Sequence, residues 1–173
     1  MSPTAVEEYV AVLTQLKPGE RALLRGHAGQ RLDRSTQGFD LFTGLWWPIR
    51  QRSPRAPRRE VAWLVAKLFA TMPLPHEPGR PLEGQLWNCQ PASEEGRQRF
   101  QRRFDELLRA PLAELEPPLQ WALREIASSG RGVDWVSLTN DLSQWEAASI
   151  RWQWAERFLS NDTGRAYRRK RAC

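Results

Sequence analysis

The chain of 173 residues holds two cysteines, Cys89 and Cys173, too few and too oddly placed for a disulfide framework or a zinc site, and both are read as free thiols. It holds two histidines, His27 and His76, in loops without a neighbouring nucleophile or ligand pattern, and both are read as surface residues. No HExxH, CxxC, GxSxG or phosphate-loop motif occurs. Paired acids such as Glu94 and Glu95, or Asp105 and Glu106, lie in stretches of mixed charge, where a solvated face is the ordinary reading. No catalytic constellation can be assembled, so no enzyme, cofactor or metal is expected. Apolar runs of the roughly 18 residues that a membrane span needs are missing too. The start, MSPTAVEEYV, carries two glutamates where a signal peptide needs a basic stretch, so a soluble cytoplasmic protein is expected. Alternating strand patterns and NG or DG turns between apolar runs are likewise missing, which points to an all-α fold. Finally, lysine is scarce: of 26 basic residues only Lys17, Lys67 and Lys170 are lysines.

What is present is arginine, a net charge of +6 and a pI near 10.1. Such a balance favours a polyanionic partner such as nucleic acid, and guanidinium offers phosphate a bidentate fork. Apolar residues recur at helical spacing and predict a compact bundle of eight or nine helices. The first begins at Thr4 with Val6, Tyr9, Val10 and Leu13 on one face. KPGERALLRG gives a second, stopped by Gly26, with Arg21 and Arg25 four apart on one side. FDLFTGLWWP makes a third piece ended by Pro48, and IRQRSPRAPRRE, with five arginines and two prolines, reads as an exposed loop. REVAWLVAKLFATM, apolar almost all round, is the expected central helix.

PLPHEPGRP, 73–81, is the best candidate boundary if the chain divides into an N-terminal lobe 1–75, a C-terminal bundle 76–162 and a basic tail 163–173. Beyond it, SEEGRQRFQRRFDELLRA is amphipathic and capped at Ser93. Its Phe100, Phe104, Leu107 and Leu108 share one face, while Arg99, Arg102, Arg103 and Arg109 fall within about a third of the circumference on another. PPLQWALREIASS turns Leu119, Ala122, Leu123 and Ile126 inward and leaves Arg124 outside. Two last helices follow, Asp134–Trp145 and one from Ala147 to about Asn161.

Four tryptophans crowd this C-terminal part: Trp135, Trp145, Trp152 and Trp154. Trp135, Leu138, Leu142 and Trp145 recur at three, four and three residues, one continuous stripe toward a partner helix, and the stretch has no lysine or arginine to accompany a stacked base. Trp135, Trp145, Trp154 and Phe158 are therefore read as core. Trp152 lies off that face and is expected either under the first helix or at a subunit interface.

The order and spacing of PGERALLRG, VAWLVAKLFATMP, RRFDELLRA, WALREIAS and VDWVSLTNDLSQW leading to WAERFL resemble the small-subunit family of the type I-E CRISPR surveillance complex, Cascade, also called CasB. The likeness spans residues from about 17 to 160, and its motifs consist of packing residues and arginines. It implies a helical, noncatalytic subunit that assembles with the other Cascade subunits and guide RNA, and with a second copy of itself. There it would help to hold the R-loop, including the displaced single strand of target DNA. Base pairing would carry sequence specificity, other subunits would read the protospacer-adjacent signal, and a separate helicase-nuclease would cut.

Carried over residue by residue, Arg25 matches the basic residue ending the family's second helix, although some members have a further arginine where this chain has Gly26. Arg102 and Arg103 match a basic pair, Arg109 a basic residue at a helix end, and Arg124 the arginine before the DW motif. With Arg21 and Arg99 from the charge pattern, these form the candidate nucleic-acid-binding set. The arginines of 50–59 and of 165–171 match no motif. Two other readings compete: an assembly scaffold whose arginines meet acidic neighbours and never DNA, and a helix-turn-helix regulator. The regulator is disfavoured because the second helix of ALREIASSGRGVDWVSLTNDL is acidic and apolar where a recognition helix needs polar and basic groups.

Overall fold

A computed structural model of the protein describes residues 1–31 and 36–171, with side chains for 1–31 and 38–159. Among the described residues the chain is all-α, without a named strand. α1 (Ala5–Thr14) starts at a capping box: the Thr4 hydroxyl accepts from the Glu7 N–H at 3.2 Å and the Thr4 N–H donates to Glu7 Oε2 at 2.6 Å. α2 (Pro18–Gly26) begins with proline, whose missing N–H costs nothing in a first turn. α3 spans Thr36–Arg52. It runs through Pro48, where the sequence pattern ends it. Proline removes one backbone bond there, and the continuation past it buries Ile49 one turn after Trp46.

α4 (Arg59–Thr71) is the central helix, and every residue from Val61 to Ala70 is buried, Lys67 included. It packs against α2 and α3 and also against two later helices, α7 (Glu116–Ser128) and α8 (Trp135–Ser143). Between them stand α5 (Leu82–Asn88), α6 (Glu94–Arg109) and a 3₁₀ turn at Leu112–Glu114. The apolar pattern missed α5: its buried Leu82, Leu86 and Trp87 sit on seven residues between proline-rich segments. α9 (Ala148–Arg171) packs on α5 and α6 and carries its backbone past Asn161, so 163–171 lie on helical backbone, while Ala172 and Cys173 fall outside the described residues.

The turn 73–81 is stitched to 132–134. Val133 N–H donates to Pro75 O and Glu77 N–H to Val133 O, both at 3.0 Å, and Asp134 N–H donates to Arg80 O at 2.8 Å. Gly132 is required here, because a Cβ would meet Pro75 O at 2.4 Å. His76 is half-buried in this suture, where its Nδ1 accepts from the Trp135 N–H at 3.2 Å, so it is not the loose surface residue that the sequence indicated. His27 is also half-buried, hydrogen-bonded to Gln30 and 6.2 Å from the Trp63 ring.

Candidate nucleic-acid interface

The expected tryptophan core is present. Trp135, Trp145 and Trp154 are at most 1 % exposed. Each buried indole N–H finds an acceptor, which burial in an apolar interior demands: Leu74 O at 2.9 Å, Ala110 O at 2.8 Å and Asp141 Oδ2 at 2.8 Å. Trp87 Nε1 is the exception, buried without a partner. Burial pushes the Asp141 carboxyl up from the usual range against the Trp154 hydrogen bond, and pushes Glu83 up against the 2.8 Å bond from Arg157 that ties α5 to α9.

This core sets the rotation of α6. Ser93 Oγ caps its start by accepting from the Gly96 N–H at 3.1 Å. Phe104 stacks on Phe158 with centroids 4.2 Å apart, and Phe100 meets Trp121 of α7 edge-on at 5.0 Å. With those rings locked inward, the opposite face turns Arg99, Arg102, Arg103 and Arg109 to solvent, and all four are exposed. Ten residues of helix separate the first from the last, a run of about 15 Å. Arg103 Cζ lies 5.6 Å from the Trp121 ring centroid, within cation–π reach. Arg124 is exposed three residues beyond Trp121, on the same side of α7. Asp105 and Glu106 are exposed on α6, but no ion pair joins them to these arginines among the described residues.

Arg25 and Arg21 form a second group on α2. Arg25 is exposed at its last turn, whereas Arg21 is half-buried with its Nε enclosed and without a partner. The following turn is fixed by a buried polar knot that the sequence did not disclose. Lys67 Nζ donates to Glu116 Oε2 at 2.9 Å and to Gln30 O at 2.8 Å; Gln30 O also accepts from Trp63 Nε1 at 3.0 Å, and Gly29 N–H donates to Glu116 Oε2 at 3.0 Å. The knot ties α2 to α4 and α7. Glu116 Oε1 stays buried without a partner.

The arginine-rich segment 50–59 is used differently. Arg50 Nη1 donates to Pro54 O at 3.0 Å and Ala56 O at 2.9 Å, Arg52 pairs with Glu8 at 3.0 Å, Arg58 pairs with Glu146, and Arg59 lies 3.7 Å from Glu60. Ala56 and Pro57 are buried, and Pro57 O accepts from Trp46 Nε1 at 2.7 Å. The segment keeps Arg52, Pro54, Arg55 and Arg59 exposed, as the sequence indicated, but four of its arginines tie it to neighbouring backbone or acids and Ala56 and Pro57 are buried within it. By contrast, Arg25, Arg99, Arg102, Arg103, Arg109 and Arg124 neither donate a hydrogen bond nor join an ion pair among the described residues.

Other chemistry does not gather. Among the described residues no three His, Cys, Asp or Glu side chains are grouped to hold a metal, and no helix is long and apolar enough to cross a membrane. Cys89 is free, and burial pushes its thiol up, away from reactivity.

Fold and surface together define an all-helical protein with a tryptophan-filled interior and a row of exposed guanidinium groups that make no ion pair among the described residues. The family model of the CRISPR-associated protein Cse2 matches residues 20–158, and the chain belongs to that family, which is a component of the Cascade complex. Its fold is similar to that of M. ruber CasB (TM-score 0.76, 19 % identity, 96 % of this chain and 98 % of that one). It is also similar to CasB from Thermus thermophilus (TM-score 0.67, 25 % identity, 92 % and 99 %) and CasB from Thermobifida fusca (TM-score 0.66, 18 % identity, 91 % and 99 %). No curated protein sequence is significantly similar to the chain.

Proposed function

We propose that the protein is the noncatalytic small subunit of a type I-E Cascade complex and that it stabilises the R-loop by binding sugar-phosphate backbone with the α6–α7 arginines, supplemented by Arg21 and Arg25. It works beside the other subunits and the guide RNA, in two copies, on target DNA that includes the displaced strand. The observation that carries this reading is that the exposed guanidinium groups of Arg25, Arg99, Arg102, Arg103, Arg109 and Arg124 make no hydrogen bond or ion pair among the described residues. A phosphate offers an exposed guanidinium opposite charge and a bidentate acceptor, and its counterions are released on binding. Because such contacts touch no base edge, they position a strand without reading it, which suits a complex whose specificity comes from guide pairing.

The test is reconstitution of the guide RNA complex with the wild-type chain, without it, and with Arg102, Arg103 and Arg109 replaced by alanine. The triple variant should join the complex and form an unstable R-loop. A normal R-loop with that variant refutes backbone binding and leaves assembly as the role.

A further inference from the structure

The apolar pattern along α9 does not end at the core. Ala148, Trp152, Ala155 and Leu159 recur at four, three and four residues and form a stripe on the outer side of the helix; Trp152 is 70 % exposed and Leu159 59 %. That exposure excludes packing of Trp152 under α1. Beside it, Leu108, Ala148, Arg151, Trp152 and Ala155 line an open groove of about 250 Å³ between α6 and α9.

The surroundings of the groove identify what it fits. Leu108 is the α6 wall; Arg109, one residue on, lies about 100° further round the helix, with the exposed Asp105 between the two directions. Arg151 stands on the α9 side. Its Nε donates to Trp145 O at 3.3 Å and its guanidinium lies 5.8 Å from the Trp145 ring centroid, which fixes it in place. Flat aromatic surface flanked by fixed guanidinium groups is how sequence-tolerant single-strand sites are built: phosphates meet the cations and bases stack on the ring. Glu156, exposed on the other flank of the stripe, disfavours phosphate there and confines a strand to the arginine side. A protein occupant fits less well. Residues 148–159 cover about 17 Å of helix with two large side chains, far from the roughly 1,200–2,000 Å² that a specific protein interface buries.

We propose that this groove receives an unstacked base of a single-stranded nucleic acid on the exposed indole of Trp152, with Arg151 holding the adjacent phosphate. The proposal rests on the backbone-binding reading above and adds a base contact to it. It requires no sequence preference, since every base offers a π-face.

The test uses the full chain and fluorescence anisotropy with two labelled single strands of equal length and charge, one bearing thymine and the other abasic. Wild type binds the thymine strand more tightly. Trp152→Ala weakens that binding by about 5- to 150-fold, the range set by the loss of one base–aromatic stack, and leaves abasic binding and the salt dependence unchanged. Trp152→Phe keeps most of the preference. Equal binding of both strands by wild type, or an unchanged thymine preference in Trp152→Ala, overturns the proposal alone, because backbone binding survives in either result. Wild type that binds neither strand refutes the backbone reading with it. A Trp152→Ala chain that binds both strands as wild type does and fails to enter the reconstituted complex also overturns the proposal and assigns the groove to a protein neighbour.

Discussion

Replacing Lys67 by methionine tests the knot on which the α2 arginines depend. Methionine keeps the length and flexibility of the stem and removes only the ammonium. The side chains of Lys67 and Glu116 are 5 % and 10 % exposed, so the substitution strands a carboxylate in the interior with the Gly29 N–H as its remaining donor. Removing one partner of a buried ion pair costs about 3–5 kcal/mol, because the other charge stays desolvated and uncompensated. In a chain of this size that is a fall in Tm of about 6–20 °C, at about 2–4 °C per kcal/mol. Gln30 O keeps its bond from Trp63 Nε1, so its loss adds little. Replacing Glu116 by leucine in the same chain removes the stranded charge and leaves the Gly29 N–H unpaired, at about 1–3 kcal/mol. The double variant should therefore be more stable than Lys67→Met alone. Urea unfolding followed by tryptophan fluorescence measures both. A single variant that loses less than about 1 kcal/mol, or a double variant whose loss equals the sum of the single losses, refutes the assignment of this pair as a coupled buried clamp.

The arginine row makes a salt-dependent prediction. If the six exposed arginines each neutralise one phosphate of a single strand, log affinity falls with log salt at a slope of about −4, and the Arg102, Arg103 and Arg109 alanine variant brings it to about −2. A slope unchanged by the triple substitution would falsify phosphate contact at those positions. The core makes a pH prediction through Asp141, whose carboxyl burial raises above its usual range. A raised acid binds its proton more tightly in the folded state than in the unfolded one. Stability therefore falls as pH rises from about 4, the ordinary aspartate range, through the higher folded value. Asp141→Asn keeps an acceptor for Trp154 Nε1 and removes the titration, so its thermal midpoint should decline less over that window; identical slopes in the two proteins sink the idea.

How much of this was legible in the sequence depends on whether the cause was local. α8 could be read because Asp134 caps it, accepting from the Ser137 N–H at 3.0 Å, and because Trp135, Leu138 and Leu142 keep one period. α4 could be read because nothing in it resists burial except one lysine. The partner that lets Lys67 be buried lies 49 residues on, and no periodicity in α4 indicates it. Pro48 misled for the same reason. The signal to stop is local, but the burial of Ile49 and Trp46 that accompanies the continuation is tertiary.

The division of the arginines carries that argument to the site. By composition the 50–59 stretch is the most basic internal segment, yet four of its five arginines are bonded or paired within the fold and Arg55 alone of the five has no side-chain partner among the described residues. Arg52 reaches Glu8 across 44 residues, and Arg58 reaches Glu146 across 88. The α6 row, chosen from the sequence by its shared face, carries Asp105 and Glu106 on the same helix, yet those acids form no ion pair with its guanidinium groups among the described residues. Charge density along a sequence counts cations, whereas a phosphate responds to cations that have no better partner, and that quantity exists only once the chain has closed. The tryptophans divide in the same way. Trp135, Trp145 and Trp154 each give their N–H to the interior, and Trp152, two residues from one of them, is left facing solvent beside the fixed guanidinium of Arg151.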